Sequence, residues 1–215
     1  MGRSALAALL LLVVSACGGG EPSELAKFRE NNPDGYAGTV LTQPYQLTPM
    51  TLTDDDGQNY RLTDRLAKPL TLIFFGYTQC PDICQVIMND ITAAIARLDD
   101  ADRAKVGMFF ITTDPANDDP ATLKKYLGRF NPDFVGLTAP LEEIVKVGAT
   151  LGVEVGKGER LPSGGFAVVH GTQIIGALSN GRAPLVWTEG TSSKDLAEDI
   201  SKALTNDFAT IGSDS

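Results

Sequence analysis

Two largely apolar segments constrain the fold of this chain more than any other feature of its sequence. Residues 70–75 (LTLIFF) and 106–111 (VGMFFI) are rich in β-branched, aromatic and aliphatic side chains. Short runs of this composition are typical of strands that are covered on both faces of a sheet. Each run is followed, after a short loop, by a helical pattern. The sequence therefore predicts an α/β domain with a central sheet and helices on both faces.

The other predicted elements alternate along the chain. Apolar side chains that recur at spacings of three and four predict a helix after residue 84 that ends near residue 99. Further helices are predicted over residues 120–130, 141–151 and 193–204. Hairpins are predicted over residues 52–62 and 166–178, the second turning at Gly171-Thr172, and residues 156–165 are predicted to form a glycine-rich loop. This order is typical of a thioredoxin-like fold: a central mixed sheet, flanking helices and an N-terminal hairpin extension.

Length and charge exclude several classes of protein. The 215 residues suffice for one globular domain with a core. With 18 Lys+Arg against 27 Asp+Glu, the formal net charge is −9, and so acidic a chain repels phosphate backbones. We therefore expect no nucleic-acid partner. The chain has only three cysteines and one histidine, so any thiol or imidazole site must be drawn from these four residues.

The first residues predict export and a lipid anchor. Residues 5–16 (ALAALLLLVVSA) form an apolar run too short to span a membrane, which needs about 20 residues, but typical of a secretory signal peptide. Cys17 follows where cleavage is expected, as in a bacterial lipobox, so we predict that it is lipidated. The alternative is a plain signal peptide with an incidental cysteine. We predict a signal peptide over residues 1–16, a flexible membrane tether over 17–37, a folded domain over 38–206 and a polar tail over 207–215, held at the extracytoplasmic face of the cell membrane.

Cys80 and Cys84 lie between the first apolar strand and the next helix. The unpaired N–H groups and partial positive charge at a helix N-terminus favour thiolate over thiol. Pro81 suits a first helical turn. Two cysteines in this spacing can close a disulfide or hold one soft metal ion. A static structural disulfide remains an alternative, because such bonds are common in exported proteins.

His170 is the only histidine and follows the apolar segment 166–169. By itself, a histidine in this position is more often structural. If the strand ends at the same sheet edge as the cysteine loop, however, two thiolates and one imidazole form a soft donor set that suits copper. A structural zinc site is disfavoured, because it needs four protein ligands.

The residues around the cysteines carry a family resemblance. The segment 76–84 (GYTQCPDIC) resembles the signature of the SCO/SenC family, membrane-attached thioredoxin-fold copper proteins that assist assembly of the CuA centre of cytochrome c oxidase. Residues 113–120 (TDPANDDP) and 135–138 (VGLT) are similar to other family segments, although Asn117 stands where Arg is usual and Asp119 where Thr is usual. His170 falls at the position of the family's copper-binding histidine, with Val169 in place of a frequent aspartate. The similarity covers residues 60–204.

The resemblance implies that Cys80, Cys84 and His170 bind a copper ion. The implied partner is the CuA-bearing subunit of cytochrome c oxidase or another copper protein. Asp114 and Asp118 are candidates to orient the ligands or to accept their protons. Their alternative roles are loop solvation and, for Asp118, capping of the helix at residue 120, a role that Asp119 could also fill.

The same thiols could serve other chemistry. A thiol-disulfide oxidoreductase that reduces partner cysteines before metal loading needs one attacking cysteine, for which Cys80 is predicted, and one resolving cysteine. A peroxidase of the peroxiredoxin type requires Thr three residues before the reactive cysteine. That position is Tyr77, which disfavours this function.

Overall fold

A computed structural model describes residues 35–160 and 166–205 of the protein, with the side chains of residues 157–160 and 166–170 outside the description. The predicted signal peptide, Cys17 and the polar tail lie outside the described residues, as does the predicted tether up to residue 34.

The domain is built from ten strands and five helices within the described residues. The strands are β1 (Thr39–Gln46), β2 (Thr51–Asp54), β3 (Asn59–Arg61), β4 (Leu70–Gly76), β5 (Val106–Thr112), β6 (Val135–Thr138), β7 (Val155–Arg160), β8 (Phe166–His170), β9 (Ile174–Leu178) and β10 (Arg182–Trp187). The helices are α1 (Ile83–Arg97), α2 (Asp100–Arg103), α3 (Pro120–Leu127), α4 (Leu141–Thr150) and α5 (Ser193–Thr205), with a 3-10 turn at Thr63–Arg65.

Eight of these strands form one mixed sheet in the order β1-β10-β9-β4-β5-β6-β2-β3. The two apolar segments are its central strands: β4 and β5 run parallel, with Leu70 opposite Val106, and β9 lies antiparallel on the other side of β4. Every residue of β4 is buried. The predicted buried central strands are therefore confirmed.

Both faces of the sheet are covered, because successive side chains of a strand point to opposite faces. Leu72 and Phe74 belong to a core that also contains the apolar sides of α1, α3 and α5. Ile73 and Phe75 belong to a second core with α4 and the β2–β3 hairpin. The α/β class and the thioredoxin-like layering agree with the prediction, and the N-terminal hairpin joins the sheet through β6.

The second predicted hairpin is wrong in its pairing. Strand β8 pairs with β7, with His170 opposite Val155, in a separate two-stranded sheet. Strand β9 turns instead into β10 through Gly181, which has a φ of +84° and whose N–H donates to the carbonyl of Leu178 at 2.9 Å. The predicted loop over 156–165 is likewise β7 up to Arg160. Its residues (VGKGER) pair through the backbone and show no apolar alternation that would have identified a strand.

A buried carboxylate holds the first residues of the folded domain in place. Asp199 of α5 accepts hydrogen bonds from the backbone N–H of Ala37 at 3.0 Å, that of Gly38 at 2.8 Å and Nε1 of Trp187 at 2.8 Å. Tyr36 is 2% exposed, and the ammonium of Lys202 lies 4.2 Å from its ring centroid. The packed domain thus includes residues 36 and 37, which the sequence predicts to belong to the tether.

Candidate functional site

The two cysteines lie beyond the carboxyl end of β4, as the sequence predicts. The strand ends at Gly76, and α1 begins at Ile83 with Asp82 as its N-cap residue. Cys84 is therefore in the first turn of the helix, while Pro81 precedes the N-cap and lies outside the helix. Cys80 is 5% exposed and Cys84 is 0% exposed, so the pair is covered by protein and Cys80 is the more accessible sulfur.

The two thiols are direct neighbours. Within the described part of the chain, neither forms a disulfide. The backbone N–H of Cys84 donates to Sγ of Cys80 at 3.4 Å. Burial, and next a hydrogen bond with the Cys80 side chain, raise the pKa of the Cys84 thiol. This arrangement provides two adjacent sulfur donors at a helix N-terminus, and Cys84 keeps its proton in the metal-free protein.

Tyr77 closes one side of the pair. Its half-buried phenol has a raised pKa, chiefly from burial and then from the neighbouring sulfurs of Cys80 and Cys84. It also forms a hydrogen bond with Cys80. Tyr77 therefore contacts the site as well as packing beside it.

Asp118 is the polar residue most firmly tied to the cysteine loop. Its carboxylate is 1% exposed and accepts three hydrogen bonds: from the N–H of Thr78 at 3.0 Å, from Oγ1 of Thr78 at 2.5 Å and from Oγ1 of Thr112 at 2.6 Å. The helix-cap role considered for Asp118 is wrong, because Asp119 accepts the capping bond from the N–H of Thr122 at 2.7 Å. Asp118 instead joins the end of β5 to the loop that carries Cys80.

Asp114 has a local role in the turn that follows β5. Its carboxylate accepts from the side-chain amide of Asn117 at 2.7 Å, and its carbonyl accepts from the N–H groups of Asn117 and Asp118, each at 3.0 Å. It lies close enough to Tyr77 to raise the pKa of that phenol slightly. Asp114 thus shapes the loop beside the site.

His170 ends β8, and its side chain lies outside the described residues. Among the side chains that the structure does describe, no group of three or more His, Cys, Asp or Glu is arranged to hold a metal. The described donor set is therefore the sulfur pair itself.

Tyr126 is a buried phenol that the sequence does not single out. It lies on α3 in the same core cluster as both cysteines, and it is 3% exposed. At helical spacing with Leu123 and Leu127 it is typical of an ordinary core face, so the sequence alone carries no signal that its buried hydroxyl lacks a hydrogen-bond partner among the described residues.

Comparison with known proteins places the chain in a family. The sequence profile of SCO1/SenC matches residues 40–205. The chain belongs to the SCO1/SenC family. The family resemblance carried by residues 76–84 is thereby confirmed, and so is the thioredoxin-like fold, because solved Sco structures superpose on the chain.

Individual members of the SCO1/SenC family show the extent of the similarity. The mitochondrial protein SCO2 of Saccharomyces cerevisiae is 37% identical over 99 residues, which are 46% of this chain and 33% of that protein. The chain matches about a third to about half of the length of such curated relatives. ScoI of Bradyrhizobium japonicum, solved with copper bound, is 32% identical with a TM-score of 0.65, covering 74% of this chain and 99% of that one.

A third similar family member is a solved structure described by its disulfide chemistry. BsSco, in which a disulfide switch was identified, is a member of the Sco family of cytochrome c oxidase assembly proteins. It is 25% identical to this chain with a TM-score of 0.61, covering 74% of this chain and 94% of that one.

Over residues 35–160 and 166–205 of the present SCO1/SenC protein, no helix is long and apolar enough to cross a membrane.

Proposed function

We propose that this protein is a membrane-anchored extracytoplasmic copper chaperone that helps to assemble the CuA site of cytochrome c oxidase. The observation that carries the proposal is the buried pair of neighbouring thiols, Cys80 and Cys84, at the carboxyl end of the central strand in a SCO1/SenC chain. Copper is the cargo, and the CuA-bearing subunit or another copper protein receives it. A relative solved with copper bound and a relative described as an oxidase assembly protein support this assignment.

The donor chemistry of the pair fits copper. Thiolates are soft ligands that suit Cu(I), and the two sulfurs are already adjacent before any metal arrives. Binding requires that the thiols lose their protons to solvent, so copper uptake releases protons. In this proposal His170 supplies the third ligand from β8.

The lipid anchor belongs to the same proposal. Lipidation of Cys17, after removal of residues 1–16, would hold the domain at the extracytoplasmic face through the tether. The apolar run 5–16 followed by Ser15-Ala16-Cys17-Gly18 supports this location.

Copper loading of the domain tests the proposal. Wild-type protein over residues 35–215 is expected to bind one copper ion per chain, measured by competition with a chromophoric Cu(I) chelator. His170→Ala is expected to weaken binding by about a hundredfold, because a ligand is lost from a three-ligand site. Glu154→Ala, which removes an exposed carboxylate just before β7, is the matched control and should bind as wild type. Absence of copper binding by wild type contradicts the chaperone function, and wild-type affinity in His170→Ala contradicts the three-ligand site alone.

Asp118 is proposed as the residue that positions the cysteine loop for the metal. Asp118→Ala leaves two donors of half-buried Thr78 and one of buried Thr112 without their acceptor, so we expect the free energy of unfolding to fall by about 2–4 kcal/mol. Since residues that orient ligands typically contribute a factor of about 10–100 to metal affinity, copper binding should weaken to that extent. Urea denaturation and chelator competition measure the two effects.

The neighbouring carboxylate provides the control for Asp118. Asp119→Ala removes the N-cap of α3 and should lower stability without changing copper affinity. Equal copper affinity in Asp118→Ala and Asp119→Ala would show that the buried carboxylate serves the fold alone.

A second candidate function, thiol-disulfide oxidoreductase, is favoured by the unequal exposure of the two sulfurs. Cys80, the more accessible, receives the N–H of Cys84 and is suited to attack. Its thiolate would attack a partner disulfide, forming a mixed disulfide and releasing one partner thiol. Cys84 would then attack Cys80, which releases the second partner thiol and leaves this chain oxidised and the partner reduced.

A further inference from the structure

The two ends of the β7–β8 hairpin are attached to different parts of the domain. Val155, at the start of β7, is 7% exposed and belongs to the core that contains α4. Ile174 starts β9, four residues beyond His170, and pairs with Phe74 in the main sheet. The end of β8 therefore lies between two separately anchored segments, and its position depends on how these segments are fixed to each other.

The segment that enters β7 is fixed on α4, where that helix ends. The backbone N–H of Val153 donates to the carbonyl of Gly148 at 2.9 Å. A Cβ on Gly148 would lie 2.7 Å from the carbonyl oxygen of Val153 and 3.0 Å from Cγ2 of Val155, so the chain crosses directly over this glycine. Gly152, with a φ of +66°, makes the turn between the helix and β7. The carbonyl of Gly152 is therefore held at a defined place beside the hairpin.

Gln173 joins the segment that leaves β8 to the segment that enters β7. Its side-chain Nε2 donates to the carbonyl of Gly152 at 3.1 Å, across 21 residues of chain. The same amide lies over Gly171, because a Cβ at that position would collide with Oε1 of Gln173. Gly171 directly follows His170. One side chain thus fastens the exit of β8 to the entry of β7.

The base of the hairpin is the part that this contact fixes. Strands β7 and β8 form a two-stranded sheet apart from the main one, and an isolated hairpin of two strands is only marginally stable. His170 pairs with Val155 at the base, next to the segments that Gln173 joins. Since Ile174 follows Gln173 and pairs with Phe74 near the end of β4, this base lies at the end of the sheet where the cysteine loop begins.

We propose that Gln173 is a positioning residue that holds the end of β8, and with it His170, beside the cysteine loop for copper binding. The inference rests on the proposed copper function, in which His170 is the third ligand. Groups that orient a ligand without touching the metal typically contribute a factor of about 10–100 to metal affinity. The loop that carries Cys80 is held separately, through the bonds of Thr78 to Asp118. Gln173 therefore acts on the histidine side of the site alone.

Gln173→Ala in the full-length protein, purified in detergent, tests this by competition with a chromophoric Cu(I) chelator. Copper affinity is expected to fall about tenfold. Combined with His170→Ala, the substitution should weaken binding no further, because the ligand that Gln173 positions is already gone. A general loss of structure would instead lower the affinity equally in both backgrounds.

Gln58→Ala is the matched control. The Nε2 of Gln58 also donates to a backbone carbonyl in an exposed turn, that of Asp56 at 3.4 Å, but this turn joins β2 and β3 at the far edge of the sheet. Its removal should leave copper affinity unchanged.

The outcomes separate this inference from the function on which it rests. A loss in Gln173→Ala that disappears in the His170→Ala background supports it. Wild-type affinity in Gln173→Ala, an equal loss in both backgrounds, or a similar loss in Gln58→Ala overturns it and leaves the chaperone function intact. Wild-type affinity in His170→Ala removes the third ligand and this inference with it, and a wild-type protein that binds no copper overturns the proposed function as well.

Discussion

Replacement of Cys80 or Cys84 by serine is expected to lower copper affinity by about a thousandfold, because a soft sulfur donor is removed from a site with at most three protein ligands. Serine has nearly the same shape as cysteine, so the fold should be retained, which circular dichroism checks. Met88→Leu is a matched control: Met88 carries the next buried sulfur on α1, one turn beyond Cys84, and its loss should leave copper binding unchanged. Wild-type affinity in either serine variant would remove the sulfur pair from the proposed site.

The pH dependence of binding provides a second measurement on the same proteins. Burial raises the pKa of Cys84, so this thiol is protonated in the metal-free protein at neutral pH and must release its proton to bind copper. Copper affinity should therefore rise with pH, and in Cys84→Ser this rise should be shallower. A wild-type affinity that is independent of pH between about 6 and 8 would contradict binding through deprotonated thiols.

The serine variants also separate the two candidate functions. If the protein reduces partner disulfides, Cys84→Ser should accumulate a mixed disulfide through Cys80, because the resolving thiol is missing. Cys80→Ser should form none if Cys80 is the attacking residue. A chaperone without reductase activity would lose copper in both variants and would trap no partner in either.

Asp199→Ala is expected to produce the largest loss of stability, about 3–5 kcal/mol in the free energy of unfolding. The substitution leaves the N–H groups of Ala37 and Gly38 and the indole N–H of Trp187 buried without their acceptor. Urea denaturation measures the change. Trp187 is the only tryptophan in the chain, so its fluorescence reports directly on the hydrogen bonds to Asp199.

The adjacent residue supplies the control for Asp199. Glu198 is exposed and lies 3.7 Å from Lys194 in a pair one helical turn apart. Exposed pairs of this kind contribute about 0–1 kcal/mol, so Glu198→Ala should change stability little. A loss of less than about 1 kcal/mol in Asp199→Ala would show that water replaces the carboxylate and that residues 36–38 are held by apolar packing instead.

The parts of the fold that the sequence predicts are those with a strong local pattern. Residues 70–75 and 106–111 are largely apolar because both faces of the sheet are covered there, and the position of the cysteines follows from the helix that starts beside them. Strands β7 and β10 escape prediction for a physical reason. β7 (VGKGER) has neither apolar alternation nor β-branched enrichment after its first residue, and β10 (RAPLVW) contains Pro184, a residue type depleted in strands, so both are defined by backbone pairing with other strands.

The same distinction applies to the site. The cysteines are found by their spacing, and Asp114 and Asp118 by their proximity to a family motif. Asp118 accepts hydrogen bonds from Thr78 and Thr112, whereas Asp119 caps the helix. Which of these two neighbouring carboxylates points inwards is not predicted, because no local pattern distinguishes them. Tyr126 lies 42 residues beyond Cys84 in the chain and joins the same core only because α3 and α1 pack on the same face of the sheet.

The strand order determines at which end of the sheet the N-terminal segment enters the domain. Strand β1 starts at Thr39, which lies opposite Val186 near the end of β10. The end of β10 lies beside the start of β9, and the start of β9 pairs with Phe74 near the end of β4. Residues 37 and 38 therefore enter the sheet at the same end as Cys80 and Cys84, three strands away, or about 14 Å at the usual spacing. The preceding residues 18–34 can span at most about 60 Å when fully extended. On the proposed lipid anchor, the end of the domain that carries the sulfurs would stay close to the bilayer, where membrane-bound recipients are concentrated.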